Sequence, residues 1–209
     1  MKILLIVLTP LLSACSIFGI NDTEQLSYKV IITEKNKEIR SYDSFIKAQI
    51  SLSGTMTDNR SDSFKILAGY IFGKNVKKSK ISMTSPVVTK EGKGESEEIS
   101  MTSPVVMKEA NNESVMFFKM PSKYTLETLP KPEDKRITIS EEQSKTYAVI
   151  TYSGSWDKVV FESKKKELIA WINANDSYRA VSVAKYAGYN PPWTLPWFRK
   201  NEVLIEIEK

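Results

Sequence analysis

A chain of 209 residues with 41% hydrophobic and 26% charged side chains has the balance of one globular domain with an ordinary core. Its 30 basic and 25 acidic residues are interspersed, so the formal charge of +5 marks no nucleic-acid-binding surface. The absence of histidine excludes Ser-His-Asp and Cys-His catalysis, histidine-containing zinc sites and histidine ligation of a haem iron, and a single cysteine excludes an intrachain disulfide or a thiolate cluster.

The chain opens with MKILLIVLTPLLSAC, in which Lys2 precedes an apolar run from Ile3 to Leu12. That run is shorter than the roughly 20 residues of a membrane-spanning helix and fits the apolar core, about 7–15 residues, of a secretory signal. Leu12, Ser13 and Ala14 directly before Cys15 resemble the lipobox of bacterial lipoproteins. The resemblance implies cleavage before Cys15 and acylation of that cysteine, and several acyl chains at about 0.8 kcal/mol per buried CH₂ hold a protein stably on a membrane. Ser16 follows Cys15 where an acidic residue would favour the inner membrane, which points to the outer membrane of a Gram-negative bacterium, facing the periplasm. A plain export signal with an incidental cysteine, or an uncleaved anchor, is the competing reading. Residues 1–14 are thus read as signal peptide, 15–27 as a lipidated tether, and 28–209 as the folded domain.

Within the domain, 28-YKVIITE-34 and 42-YDSFIKAQISL-52 read as strands, the second with Tyr42, Ile46, Ala48, Ile50 and Leu52 on one side of a period-two pattern. The stretch 57–75 reads as a helix, because Phe64, Leu67, Ala68 and Ile71 follow the i, i+3, i+4, i+7 spacing and Gly73 can end it. Next come 81-ISMTSPVVTKE-91 and 99-ISMTSPVVMKE-109, near-identical copies separated by a charged segment with Gly92 and Gly94. So short a connection predicts that the copies pair as an antiparallel hairpin, with Ile99 and Met101 facing one way and Val106 the other. Pro86 and Pro104 cannot donate to a ladder and belong at an edge or bulge.

Further strands are predicted at 114–120, 136–142 and 145–153, and a second helix over 155–174 with Val160, Phe161, Leu168, Trp171 and Ile172 on one side and Lys164 snorkelling outward. The lysines at 164–166 read as a solvated face. The chain closes with a strand at 178–186, the proline-rich loop 189-YNPPWTLPW-197 and a strand at 202–208. Strands, helix and strands in repetition describe a doubled α+β unit, without the strict alternation of a doubly wound parallel sheet.

Met-Thr-Ser-Pro-Val twice, then FKMPSKYTLETLPKPED, YAVITYSGSW and YNPPWTLPWFRKNEVLIEI in that order, resemble the SOUL haem-binding family over about 28–209. The resemblance implies a distorted antiparallel β-barrel of two similar halves flanked by two α-helices, akin to bacterial effector-binding domains. It also implies noncovalent binding of haem or another tetrapyrrole in an apolar cleft between the first helix and a late loop. In this chain the helix offers Phe64, Leu67, Ala68 and Ile71, and the loop Tyr189, Pro192, Trp193, Leu195 and Trp197. Arg60 and Lys65 are placed to meet propionates. Without histidine, a bound iron takes no protein ligand or takes Tyr, Met or Lys. The alternative for the helix residues is that they form core, and for Trp193 and Trp197 that they plug the barrel.

The sequence therefore predicts a monomeric tetrapyrrole-binding lipoprotein without catalytic constellation, metal site or nucleic-acid partner. Two other readings stand beside it: a binder of another amphipathic small molecule, and a hydrolase or structural envelope protein. Hydrolysis would fall to carboxylates such as Glu127 and Glu202, which no spacing pairs.

Overall fold

The computed structural model of the protein describes residues 22–77 and 95–209. Cys15, the export segment and the first copy of the repeat, with Pro86, Gly92 and Gly94, lie outside these residues.

The described chain runs β1 (Tyr28–Glu34), β2 (Lys37–Tyr42), β3 (Phe45–Ser53), α1 (Met56–Ile71), β4 (Asn75–Val76), β5 (Val105–Ala110), β6 (Glu113–Lys119), β7 (Lys131–Pro132), β8 (Thr138–Glu142), β9 (Lys145–Ser153), α2 (Lys158–Asn173), β10 (Arg179–Ala180), β11 (Lys185–Gly188) and β12 (Lys200–Glu208). One curled antiparallel sheet holds ten of these strands, in the order β1-β2-β9-β12-β11-β5-β6-β3-β8 with β10 on β12. The sheet forms a half-barrel and the two helices cover one of its faces, which is the expected α+β layout. Each half is a strand, a helix and two strands: β3-α1-β5-β6 and β9-α2-β11-β12. The leading strands are exchanged, for β2 precedes β3 yet pairs with β9, and β8 precedes β9 yet pairs with β3.

Period-two alternation sorts the sheet into two buried clusters. Ala148 and Ile150 of β9, with Val203 and Ile205 of β12, join Leu67 and Ile71 of α1 and Phe161, Leu168 and Ile172 of α2 in the larger core. Tyr147, Val149 and Leu204, their alternates, form a smaller cluster with Tyr42 and Tyr189 on the opposite face. Each fully buried side chain of this size stabilises the fold by about 1.5–3 kcal/mol. Met107 and Val106 separate in the same way, as do Ile99 and Met101 from Val106.

The helices end where local chemistry ends them. Thr55 caps α1 by accepting the Asp58 N–H at 3.2 Å, and Gly73, at φ +107°, turns the chain after it, a conformation that disfavours side chains. Asp157 caps α2 by accepting the Val160 N–H at 2.9 Å, so this helix starts at Lys158, three residues later than expected. Phe161, Leu168 and Ile172 are its buried stripe, while Val160 is exposed and Trp171 is half-buried, its indole N–H on Glu34. Lys164 pairs with Glu167 at 2.9 Å.

Several sequence expectations are corrected. The stretch 37-KEIRSY-42 is a strand, unnoticed because Glu38 and Arg40 occupy its second face; Tyr42 joins that face and not the side of Ile46 to Leu52. The second copy of the repeat supplies β5, but both edges of β5 are taken, by β6 and β11, so Val105–Ala110 forms no hairpin with the first copy. The partner is chosen by Asn111 and Asn112, at φ +53° and +58°, which make a two-residue turn into β6. Pro104 stands directly before β5, where a missing donor costs nothing. The strand expected at 178–186 is split into β10 and β11, because the Ser182 hydroxyl accepts the Glu206 N–H at 3.0 Å in place of a backbone carbonyl. Ahead of β1, Glu24 binds the backbone N–H of Ser122 at 3.1 Å and contacts Lys119, so the segment before Tyr28 docks on the domain.

Candidate functional site

The loop between β11 and β12 is braced by a small set of polar contacts. Gly154, at φ +127°, turns the chain after β9, and its N–H donates to the Pro196 carbonyl at 2.9 Å. Its carbonyl accepts from the Asn201 side chain at 2.8 Å, and buried Asn201 accepts from the Tyr186 hydroxyl at 2.6 Å. Arg199 donates to the Thr194 carbonyl at 2.7 Å, to the Pro192 carbonyl, and to the Ser155 hydroxyl at 3.1 Å. With its backbone fixed from beneath, the loop presents Trp193 and Trp197, each 64% exposed, and exposed Phe198. Rings of that size normally bury most of their surface, so their exposure on a braced loop sets this surface apart from the rest of the sheet.

The same turn reaches α1. Trp156, next to Ser155, packs edge-on against Tyr186 at 4.5 Å and tilts against Phe161 at 5.6 Å. The Arg60 guanidinium lies 5.5 Å from the Trp156 ring centre and 5.9 Å from that of Tyr186, within cation–π range. Residues 154–156 thus tie the loop to the N-terminal half of α1.

The predicted site residues fall into three groups. Arg60, Phe64 and Lys65 lie on the outer side of α1: Phe64 is 40% exposed and tilts against Phe118 at 5.6 Å, and Lys65 is 3.5 Å from Asp62. Pro192, Trp193 and Trp197 are exposed on the loop, with Leu195 half-buried. Leu67 and Ile71, at 0% and 1% exposure, belong to the core, Ala68 is half-buried, and Tyr189 lies on the opposite face of the sheet. Trp156, Arg199 and Asn201 went unmarked in the sequence, although Gly-Ser-Trp directly after a strand and an arginine after Trp197 are the local signals of a braced loop.

A cavity of about 250 Å³ lies on the other side of Trp156, between the first turn of α1 and α2. Met56, Phe161, Ile169 and Ile205 give it apolar walls, and Glu109, Lys158, Glu162 and Lys165 stand around it. It is smaller than the roughly 300–1,000 Å³ of pockets that enclose a drug-sized ligand, so a tetrapyrrole does not fit inside.

The face of the sheet away from the helices carries a buried ionic network. Glu202, fully buried, accepts from Arg40 at 3.0 Å and from the Tyr189 hydroxyl at 2.6 Å, and pairs with Lys200 at 3.1 Å. Burial opposes ionisation of the Tyr189 hydroxyl, and the Glu202 charge beside it pushes the same way. Its carboxylate is committed to structure, and Glu127 is exposed at a distance along the chain. Farther along this face Lys185 donates to the Tyr147 hydroxyl at 2.7 Å, and burial lowers its pKa to about 8 against the pull of Glu142 and Glu206. For Glu142, burial alone would raise the carboxyl, but hydrogen bonding to Lys47 and the charges of Lys47, Lys185 and Lys145 together hold it below its ordinary value. Among the described residues no cluster of acidic, cysteine or histidine side chains could hold a metal ion, and no helix is long and apolar enough to cross a membrane.

The family model described as SOUL heme-binding protein matches this chain twice, over residues 23–97 and 90–206. No curated protein sequence matches it. Among solved structures the chain is similar to the EcmrR C-terminal domain, with 11% identity and a TM-score of 0.56 over 87% of this chain and 98% of that one. An uncharacterized conserved protein from Listeria innocua is similar at 11% identity and a TM-score of 0.54, over 84% of this chain and 94% of that one. A hydrolase from the same organism follows at 9% identity and a TM-score of 0.52, over 85% and 94%. At such identities the likeness shows the fold alone.

Proposed function

Because this chain belongs to the SOUL haem-binding family, we propose that it binds haem or a related tetrapyrrole noncovalently on the aromatic surface of the 189–197 loop and the outer side of α1, as a lipid-anchored protein of the cell envelope. The observation that carries the reading is the pair Trp193 and Trp197, both 64% exposed on a loop whose carbonyls are pinned by Arg199. Flat apolar walls suit a flat apolar ring, and preorganisation reduces the entropic cost of ordering them. Phe64 extends the apolar surface, and Arg60 and Lys65 supply cations for propionates. Leu67 and Ile71 anchor α1 in the core beneath, while Tyr189 faces the opposite side of the sheet and takes no part in this surface.

The residues fit the ring better than the iron. With no histidine in the chain, the tetrapyrrole is held by its faces and its carboxylates, and iron adds little to affinity. Fluorescence-quenching titrations of the full chain with haem and with metal-free protoporphyrin test this. Affinities within about tenfold of one another, a gap of about 1.4 kcal/mol, are expected. Haem binding far tighter than protoporphyrin would show that a Tyr, Met or Lys ligates the iron, and no saturable binding of either would overturn the reading.

A further inference from the structure

We propose that the cavity between α1 and α2 is a second binding site, separate from the aromatic loop, for an aliphatic monocarboxylate of medium chain length. Its volume of about 250 Å³ is that of about eight water molecules at roughly 30 Å³ each, so an aliphatic chain of about as many carbons fills it. Met56, Phe161 and Ile205 are buried beneath it and Trp156 forms a wall, so the interior favours an apolar chain over water.

The charges around the cavity select the head group. Two carboxylates and two ammonium groups sum to zero, but three of the four are already committed. Glu109 accepts the Met56 N–H at 2.7 Å and so completes the start of α1. Glu162 and Lys165 pair at 2.7 Å. Lys158 has no hydrogen bond or ion pair among the described residues. It is also the first residue of α2, where a cation opposes the positive end of the helix dipole, so helix stability does not account for it. An apolar cavity with one uncommitted cation at its rim matches a chain that ends in a carboxylate.

Calorimetric titration of the full chain with octanoate and with octylammonium, both below their micellar concentrations, tests the site. Octanoate should bind one to one and more tightly than octylammonium by about tenfold or more. Lys158→Glu, which suits the helix dipole and leaves the core untouched, should reverse that preference. Ala184→Phe, which fills the cavity, should abolish octanoate binding while protoporphyrin titration is unchanged. Should that variant fail to fold, Lys158→Glu decides alone. Absence of saturable octanoate binding, or the same octanoate affinity in Lys158→Glu as in the parent, would overturn the proposal, whatever the outcome for tetrapyrroles.

Discussion

Arg40 on β2 and Glu202 on β12 meet at 3.0 Å with neither side chain appreciably in contact with solvent, although 162 residues separate them in the chain. Both belong to strands that flank β9, so the pair reports the exchange of leading strands between the two halves. Removing one partner strands the other in the interior, which typically costs about 3–5 kcal/mol. Arg40→Met and Glu202→Gln should each lower unfolding free energy by about that much in urea denaturation. The Arg40→Met, Glu202→Met double variant should recover a large part of the loss, since no isolated charge remains. Single variants within about 0.5 kcal/mol of the parent would show that the pair is solvated.

Trp193→Ala should weaken haem and protoporphyrin by a similar factor, because it removes wall area without touching iron. Apolar contact contributes at about 25 cal/mol per Å² before ordering costs, so a loss of about tenfold in each affinity is expected. Arg199→Ala releases the loop carbonyls and should reduce both affinities while leaving the fold intact, as read by titration and far-ultraviolet circular dichroism. Equal binding by parent and Trp193→Ala would remove the loop from the site.

Stability should rise as pH increases from about 8 toward 10. Lys185 loses its proton near pH 8 in the folded chain and near about 10.4 when unfolded, so in that interval the unfolded state binds more protons and stability increases with pH. Above about pH 10 the sign reverses: burial opposes ionisation of Tyr42, Tyr147 and Tyr152 in the folded chain, the unfolded chain loses those protons first, and stability falls. Lys145, whose pKa is raised chiefly by its Glu206 contact against the cost of burial, also loses its contribution only at the alkaline end. Urea denaturation at successive pH values checks this, and Lys185→Met should abolish the rise between pH 8 and 10.

Cys15 should carry acyl chains when the full-length gene is expressed in a Gram-negative host. Intact-mass measurement after detergent extraction should show the modification and loss of residues 1–14, and Cys15→Ala should remove both. An unmodified Cys15 in the parent would reject the anchor.

Local pattern was sufficient wherever one element's residues decide its own state. The span 145–153 is the strand β9 as its alternation predicts, and Phe64 to Ile71 form a helix that Gly73 ends. The absence of histidine by itself constrains haem chemistry. Partner choice is another matter, because a strand's own residues do not encode which distant strand completes its ladder. The repeat suggested one hairpin, yet Asn111 and Asn112 turned β5 onto β6, while β11 occupied its other edge. β2 was hidden because Glu38 and Arg40 read as a solvated segment until Glu202 supplied a buried partner. Likewise Leu67 and Phe64 share a helical stripe in sequence, but the sheet beneath α1 buries one and leaves the other at 40% exposure. Tyr189 begins the aromatic loop yet turns to the opposite face, drawn by its hydrogen bond to Glu202. The cavity beside Trp156 is lined by residues of α1, α2, β5, β10 and β12, elements far apart in the chain, so no periodicity within either helix announces it.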